Sequence, residues 1–254
     1  MTHPLIVAHR GASARAPENT IAAFRRAIAD GADGVEFDVR LAADGVPVVI
    51  HDADLRRVAS QNVLVADLTA EQLRSIDVGS RFMSKARPHD REAAEFECVP
   101  NLSEVLRLLS GTQGPVYIEL KCADTGYRPL AAAVCRVLSD LELPPRVIVK
   151  SFSLAAIREV KAILPYIRTA ALFEPSLGVY IRGAKQMIED AKSAGADEVS
   201  VHYSLATKKF CRLAAAAELS VAVWTVDDAK WLERCRKRGI GTLITNDPRR
   251  FKAA

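Results

Sequence analysis

The sequence predicts an α/β fold in which eight parallel strands close into a TIM (β/α)8 barrel, with one β-hairpin added as an extension. Three observations carry that expectation. Apolar runs of strand length alternate with segments of helical period along most of the chain. An Asp44-Gly45 turn accounts for a ninth strand candidate that such a barrel does not need. Polar residues follow the apolar runs at the same strand end, where a parallel barrel opens its mouth.

Leu5 to Ala8 is a short apolar strand ending in His9-Arg10-Gly11, and a polar loop through Pro17-Glu18-Asn19-Thr20 follows. Ile21, Phe24 and Ile28 then recur at helical spacing up to Asp30, and Gly31 is a stop signal. The next strand begins at Val35. Side chains alternate along a strand, so Glu36 and Asp38 project from one face while Val35, Phe37, Val39 and Leu41 line the other. Two carboxylates therefore share a small volume, which is costly unless a cation, a proton or a basic partner compensates.

Asp44 and Gly45 lie between two apolar runs, and both residue types tolerate the positive φ of a type I′ turn. That turn pairs Ala43 with Val46 and, carried along the ribbon, sets His51 across from Asp38. Pro47 has no N–H to give a ladder and suits an edge or a projecting ribbon. From His51-Asp52 to Cys98 no clear strand–helix unit is legible. Leu68 to Ile76 reads as a short helix starting near Asp67 or Thr69, and Arg81 to Glu97 as a charged loop. A connection this long is expected to pack over a functional opening.

Leu102 to Leu109 reads as a helix, ended by Gly111, Gly114 and Pro115. The rhythm is then regular. Strands are expected at Val116 to Lys121, Val147 to Val149, Thr169 to Phe173, Glu198 to Val201, Val221 to Val226 and Thr242 to Thr245. Helices alternate with them at Pro129 to Leu138, Leu154 to Leu164, Ala184 to Ala194, Lys208 to Ala217 and Ala229 to Arg238. Val46 to Ile50 returns antiparallel and is not counted, because consecutive parallel strands need a crossover longer than two residues. An open doubly wound sheet is the alternative fold. Its dinucleotide-binding form needs a glycine-rich phosphate loop after the first strand, and His9-Arg10-Gly11-Ala12 does not supply one. No linker or repeat divides the series, so residues 1–254 read as one domain.

A content of 49% hydrophobic and 26% charged residues fits a soluble globule with a sizeable core. The net charge of +4 is a mild basic bias, without a dense basic block interleaved with aromatics. This argues against nucleic acid as a partner and is compatible with an anionic small molecule. The five cysteines show no CxxC or zinc-ligand spacing and read as reduced structural thiols. The chain reaches a functional strand end too soon for a secretory leader, and no long apolar segment resembles a membrane span. A cytoplasmic enzyme without membrane insertion is the simplest expectation, and the sequence is silent on oligomeric state.

Glu119 and Lys121 stand two apart at the end of the third barrel strand and face the mouth together. With Glu36 and Asp38 this makes three carboxylates from neighbouring strands, an oxygen-rich set suited to Mg²⁺ or Ca²⁺. The plain alternative is that these acids only pair with Arg10, Lys121 or Lys150. Lys121 is a point charge able to neutralise the acids or hold a phosphoryl oxygen, and Arg10 has the planar donor fork that suits phosphate. His9 and His51 are the proton carriers, one taking a proton from the attacking hydroxyl or water and the other protonating the departing alkoxide. Either histidine alone would be as easily a core residue or a metal ligand.

The motifs His9-Arg10-Gly11, Pro17-Glu18-Asn19-Thr20, Gly31 to Val39, Asp44 to Asp52 and Glu119-Leu120-Lys121 together resemble the glycerophosphodiester phosphodiesterase family. The similarity continues through Asp67-Leu68-Thr69, Leu102 to Leu106, Val149 to Phe152, Trp224-Thr225-Val226 and Thr245-Asn246-Asp247-Pro248, and so covers nearly the full chain. The resemblance implies a distorted TIM barrel with a small inserted region, here residues 52–100, near the active-site mouth. It implies hydrolysis of glycerophosphodiesters, such as glycerophosphocholine or glycerophosphoethanolamine, to sn-glycerol 3-phosphate and an alcohol. The divalent metal would be Mg²⁺ or Ca²⁺, with Mn²⁺ as a further option. Carried over position by position, Glu36, Asp38 and Glu119 hold the metal, His9 and His51 do the acid-base chemistry, and Arg10 and Lys121 contact phosphate. Phe152 and Trp224 would line the mouth against the glycerol carbons or the head group, or else pack structurally; His202 and Tyr203 stay outside the catalytic set.

Two stretches depart from the family pattern. Arg56-Arg57-Val58-Ala59 stands where an arginine followed by threonines is common, and Asp227 where asparagine is common. A lysophospholipase D-like activity is the close alternative, favoured by a long apolar groove rather than a short polar pocket. A nonenzymatic phosphoester-binding barrel is the distant one, and it predicts that the acids and histidines fail to converge.

Overall fold

The computed structural model describes residues 3–83, 96–122, 126–141 and 146–251. Its centre is a closed sheet. The strands are β1 (Leu5–His9), β2 (Gly34–Leu41), β3 (Pro47–Val49), β4 (Val116–Leu120), β5 (Val147–Ser151), β6 (Arg168–Phe173), β7 (Glu198–His202), β8 (Ser220–Trp224) and β9 (Thr242–Thr245). They pair in the order β1-β9-β8-β7-β6-β5-β4-β2-β3, and an additional β1–β2 pairing closes the circle. Every pairing is parallel except β2 with β3, so β3 is the appended ribbon and the other eight strands form the barrel.

Around the strands run α1 (Ile21–Ala29), α5 (Leu102–Leu109), α6 (Tyr127–Asp140), α7 (Leu154–Ile163), α8 (Leu177–Ser193), α9 (Lys208–Ala216) and α10 (Trp231–Arg238). Their starts follow from local chemistry. The Thr20 side chain accepts from Ala23 N–H at the head of α1, and Asn101 and Glu104 form a reciprocal capping box at the head of α5. The sequence expectation for the last helices was right in place but short for α8, which begins at Leu177 and breaks at Gly183 (φ 71°, ψ 175°) before resuming.

Period-two alternation sorts each strand between two cores. Val35, Phe37 and Val39 of β2 face outward against α1 and α5, where Phe37 meets Phe24 edge-on with ring centroids 5.5 Å apart. Each such buried apolar side chain contributes about 1.5–3 kcal/mol relative to exposure. Inside the barrel, a smaller layer of Val7, Tyr117, Ile148, Ala170, Ala222 and Ile244 fills the lumen. Polar residues occupy the two ends of the lumen.

The ribbon corrects one expectation. Val39 pairs with Val49, Arg40 with Val48 and Leu41 with Pro47. Ile50 N–H donates to Asp38 C=O, so Ile50 and not His51 stands across from Asp38. The cause is the loop: Gly45 N–H returns to Ala42 C=O, Ala42 N–H to Val46 C=O, and only Gly45 in that loop takes a left-handed φ, of 76°. A three-residue loop with a left-handed glycine therefore replaces the two-residue type I′ turn and shifts the pairing by one. Pro47 does lie on an edge, as its missing N–H requires.

Beyond the ribbon, the described residues include three short α-helices, α2 (Arg56–Ala59), α3 (Ala70–Arg74) and α4 (Ser80–Met83), and a 3-10 turn at Val65–Asp67. α3 is the short helix expected over 68–76, started by a Thr69–Gln72 capping box. Leu55, Val65, Leu73 and Val78 pack with Val48 and Ile50 of the ribbon into a separate small core. The charged stretch expected as loop from Arg81 to Glu97 falls largely on residues 84–95, outside the described residues.

Candidate active site

The mouth begins at the end of β1. Arg10 and Gly11 both take left-handed backbone conformations (φ 55° and 77°), and a Cβ at Gly11 would lie 2.6 Å from the Ala23 backbone. The turn aims Arg10 back across the barrel. Its Nε lies 3.1 Å from Asp38 Oδ2, its Nη1 donates to Glu18 Oε1 at 2.9 Å, and its backbone N–H donates to Glu36 Oε2 at 3.2 Å.

Register brings the acids together. β1 sets His9 beside Glu36, β2 sets Asp38 beside Glu119, and β4 sets Glu119 beside Lys150. Glu36, Asp38 and Glu119 are all buried, and each offers a carboxylate oxygen within 4.8 Å of the others. Lys150 Nζ lies 2.8 Å from Glu36 Oε1 and 3.8 Å from Glu119 Oε2, while Lys121 Nζ lies 2.5 Å from Glu119 Oε1 and 3.2 Å from Asp38 Oδ1. Asn19, itself buried with a φ of 60°, donates from Nδ2 to Asp38 Oδ2 at 2.9 Å.

Burial works against charge on all three acids, and their partners decide the outcome. For Glu36, Lys150 and then His9 outweigh burial and hold the carboxyl below its ordinary value. For Asp38, Arg10, Lys121 and His51 do so more strongly. For Glu119, burial and the Asp38 carboxylate win over both lysines, and its pKa is pushed up to about 7.

The histidines flank this cage. His9 Nε2 lies 3.9 Å from Glu36 Oε2, and its Nδ1 meets Asn246 Oδ1 at 2.8 Å. His51 Nδ1 donates to Asp52 Oδ1 at 2.7 Å, which leaves Nε2 for the mouth. Burial lowers both imidazole pKa values, opposed by Glu36 at His9 and by Asp38 at His51. Asp52 is braced in turn by Arg57 Nε at 2.6 Å, and Arg57 also grips Glu18 with both terminal nitrogens. Within the stretch that departs from the family pattern, Arg57 thus lies on a ladder linking the supports of Arg10 and His51, whereas Arg56 pairs with Asp54.

Phe152 and Trp224 stand on the opposite rim, edge-to-face with centroids 5.8 Å apart, and Lys121 Nζ lies 5.9 Å from the Phe152 ring centre. Phe152 is 41% exposed, so it is a rim residue rather than core. His202 packs edge-on against Trp224 and stacks on Tyr203, extending the aromatic band.

All of the residues singled out from sequence therefore meet at one mouth. Asn19, Asp52, Asn246 and Asp227 are the site residues that sequence reasoning left without a role, and Lys150 entered it only as a possible partner of the acids. Lys150 had a legible signal: a lysine closing an apolar strand must find an anion if it is buried.

The donor set fits a divalent cation. It is all oxygen and all carboxylate, and among the described residues Glu36 Oε1, Asp38 Oδ1 and Glu119 Oε1 are buried without a hydrogen bond of regular geometry, each lying beside a lysine ammonium.

Fold and site together define a parallel barrel whose mouth gathers a buried acidic cage, the cations of Arg10, Lys121 and Lys150, and two histidines. The profile of the glycerophosphoryl diester phosphodiesterase family matches residues 9–250, and the chain belongs to that family. It is 32% identical over 246 residues to a glycerophosphodiester phosphodiesterase of Caldanaerobacter subterraneus subsp. tengcongensis, covering 96% of this chain and 94% of that protein. Among solved structures, an Oleispira antarctica phosphodiesterase in complex with the product sn-glycerol-3-phosphate is similar at TM-score 0.83 and 25% identity, over 99% of this chain and 96% of that one. A glycerophosphodiester phosphodiesterase from Agrobacterium tumefaciens gives TM-score 0.79 and 27% identity, over 99% and 100%.

Proposed function

We propose that this protein hydrolyses glycerophosphodiesters to sn-glycerol 3-phosphate and an alcohol, with Mg²⁺, Ca²⁺ or Mn²⁺ held by Glu36, Asp38 and Glu119. The observation that carries the reading is the convergence of three buried carboxylates within 4.8 Å, flanked by two histidines whose Nδ1 atoms are each engaged by a neighbour. When bound, the ion would polarise the phosphoryl oxygens and offset charge developing on them. Arg10 and Lys121 orient the non-bridging oxygens.

One histidine takes the proton of the attacking hydroxyl as its oxygen bonds to phosphorus; the other gives a proton to the alkoxide as its bond to phosphorus breaks. The family resemblance makes that hydroxyl the substrate's own glycerol hydroxyl, so the first product is a cyclic phosphate that water then opens. Phe152 and Trp224 give the carbon skeleton an apolar wall.

The deacylated substrate is favoured over a lysolipid because the described rim opposite the aromatics is ionic, built by Arg10, Glu18, Arg57 and Asp52. The cavity beside it, about 210 Å³, is lined by Glu18, Arg57 and Arg81 together with Val58, Val78 and Phe82. No helix among the described residues is long and apolar enough to cross a membrane, which is compatible with the cytoplasmic setting we propose.

The test compares metal-dependent release of glycerol 3-phosphate from glycerophosphocholine, glycerophosphoethanolamine and a lysophospholipid, with His51→Ala alongside. Turnover of the first two that needs a divalent ion and His51 is expected. Preference for the lysophospholipid would replace this reading with the lysophospholipase D-like one, and no turnover of any diester would reject it.

A further inference from the structure

Behind His9 lies a relay that the reaction chemistry has not yet used. Three neighbouring strands of the barrel, β8, β9 and β1, end side by side. They carry Asp227, Asn246 and His9 past their ends or at them. Asp227 Oδ1 accepts from Thr245 Oγ1 at 2.8 Å and from the Asn246 backbone N–H at 2.9 Å; its Oδ2 accepts from Asn246 Nδ2 at 2.8 Å. On the far side of the same amide, Asn246 Oδ1 accepts from Ser13 Oγ at 3.0 Å and meets His9 Nδ1 at 2.8 Å.

We propose that Asp227 is a positioning residue which, by orienting the Asn246 amide, fixes the proton of neutral His9 on Nδ1 and leaves Nε2 bare toward the acidic cage. The logic is one of donors and acceptors. An ionised carboxylate only accepts, so the amide must turn its NH₂ toward Asp227 and its oxygen toward His9. An amide oxygen only accepts as well, so His9 Nδ1 must carry the hydrogen. The lone pair is then on Nε2, the nitrogen 3.9 Å from Glu36 Oε2.

Asparagine at position 227 would weaken this constraint. It can donate or accept, so Asn246 could flip, offer its NH₂ to Nδ1 and move the imidazole hydrogen to Nε2, where it blocks proton abstraction. Asp227, which stands where the family resemblance leads one to expect asparagine, removes that freedom. His51 is held by a shorter device, its Nδ1 bonding directly to Asp52. The effect on rate rests on the reading of His9 as a proton carrier; the effect on the tautomer does not.

The experiment is long-range ¹H–¹⁵N correlation spectroscopy of the full chain labelled with ¹⁵N-histidine, at a pH where His9 is neutral. His9 signals are identified by their loss in His9→Gln. Asp227→Asn, which keeps size and shape, and Asp227→Ala are compared with the unsubstituted protein, and thermal melts confirm that each is folded. The expected result is an Nδ1–H His9 in the unsubstituted protein, an increased Nε2–H population in both variants, and His51 unchanged. With glycerophosphocholine, kcat should fall by about tenfold or more in both variants while KM stays within about twofold. An Nε2–H His9 in the unsubstituted protein, or an unaltered tautomer in both folded variants, would overturn the proposal. Absence of turnover by the unsubstituted enzyme would sink the hydrolase reading alone, because the spectra decide the tautomer without it.

Discussion

The two ends of the barrel lumen both bury carboxylates, yet they surround them differently. At the mouth, Glu36, Asp38 and Glu119 face the cations of Arg10, Lys121 and Lys150. At the floor, Glu198 receives hydroxyl donors instead: Tyr117 Oη at 3.2 Å and Ser220 Oγ at 3.1 Å, with Arg168 Nη2 as far as 4.0 Å. Burial raises the carboxyl pKa at both ends. Cations reverse that for Glu36 and Asp38, whereas hydroxyls and a distant arginine leave Glu198 above its ordinary value. The lesson is that depth in the barrel does not decide the charge of an acid; the nature of its partners does. Glu119 follows Glu198 although it faces two lysines, because those lysines are shared with Asp38 and Glu36 and the Asp38 carboxylate adds to burial.

If this contrast separates function from support, the largest effect belongs to activity. Asp38→Asn should lower kcat/KM for glycerophosphocholine by roughly 10²–10³, and Glu198→Gln should leave it within about threefold. Steady-state assays of both variants check this; comparable losses would erase the distinction.

Removing a cation from the mouth tests the same contrast through stability. Lys150→Met leaves Glu36 and Glu119 buried with less compensation and should cost about 3 kcal/mol in urea unfolding without metal. Added Mg²⁺ should restore part of that loss by binding the folded state.

Titration separates the two ends by sign. Asp38 has a folded pKa below its unfolded value near 3.8, so its contribution is present above that pH and is lost as pH falls toward the folded value. Glu198 has a folded pKa above its unfolded value near 4.5, so stability falls as pH rises from there through the raised value. Unfolding free energies measured from pH 4 to 8 should therefore slope downward less in Glu198→Gln than in the unsubstituted protein. The smallest effect is expected from Tyr117→Phe. Loss of its hydroxyl, which donates to Glu198 and lies 3.2 Å from Thr242 Oγ1, should cost about 1 kcal/mol without changing kcat.

Much of this is legible in the sequence. α5 spans the expected Leu102–Leu109, and β9 the expected Thr242–Thr245, because apolar period and stop residues act locally. The clustering of Glu36, Asp38 and Glu119 also follows from parity along two strands, once those strands are neighbours. The ribbon's register is not legible there, because one residue in the loop decides between two registers and Asp-Gly is compatible with both. His51 nevertheless reaches the mouth, since it lies beyond the end of β3 and is not bound by the ladder.

The supports of the site were the least legible. Asp52 stands next to the residue it holds, but Asn246 lies 237 positions from His9 and Asn19 lies 19 from Asp38, and nothing local marks either as a partner. The sequence by itself determined the barrel, the strand ends that meet at its mouth and the residue types gathered there, because periodicity and residue type are local properties. Only the tertiary structure decided which oxygen meets which cation, which nitrogen of each histidine is engaged, and which acids burial pushes above their ordinary pKa. Those depend on distances between side chains brought together by barrel closure, over which charge and hydrogen bonding act.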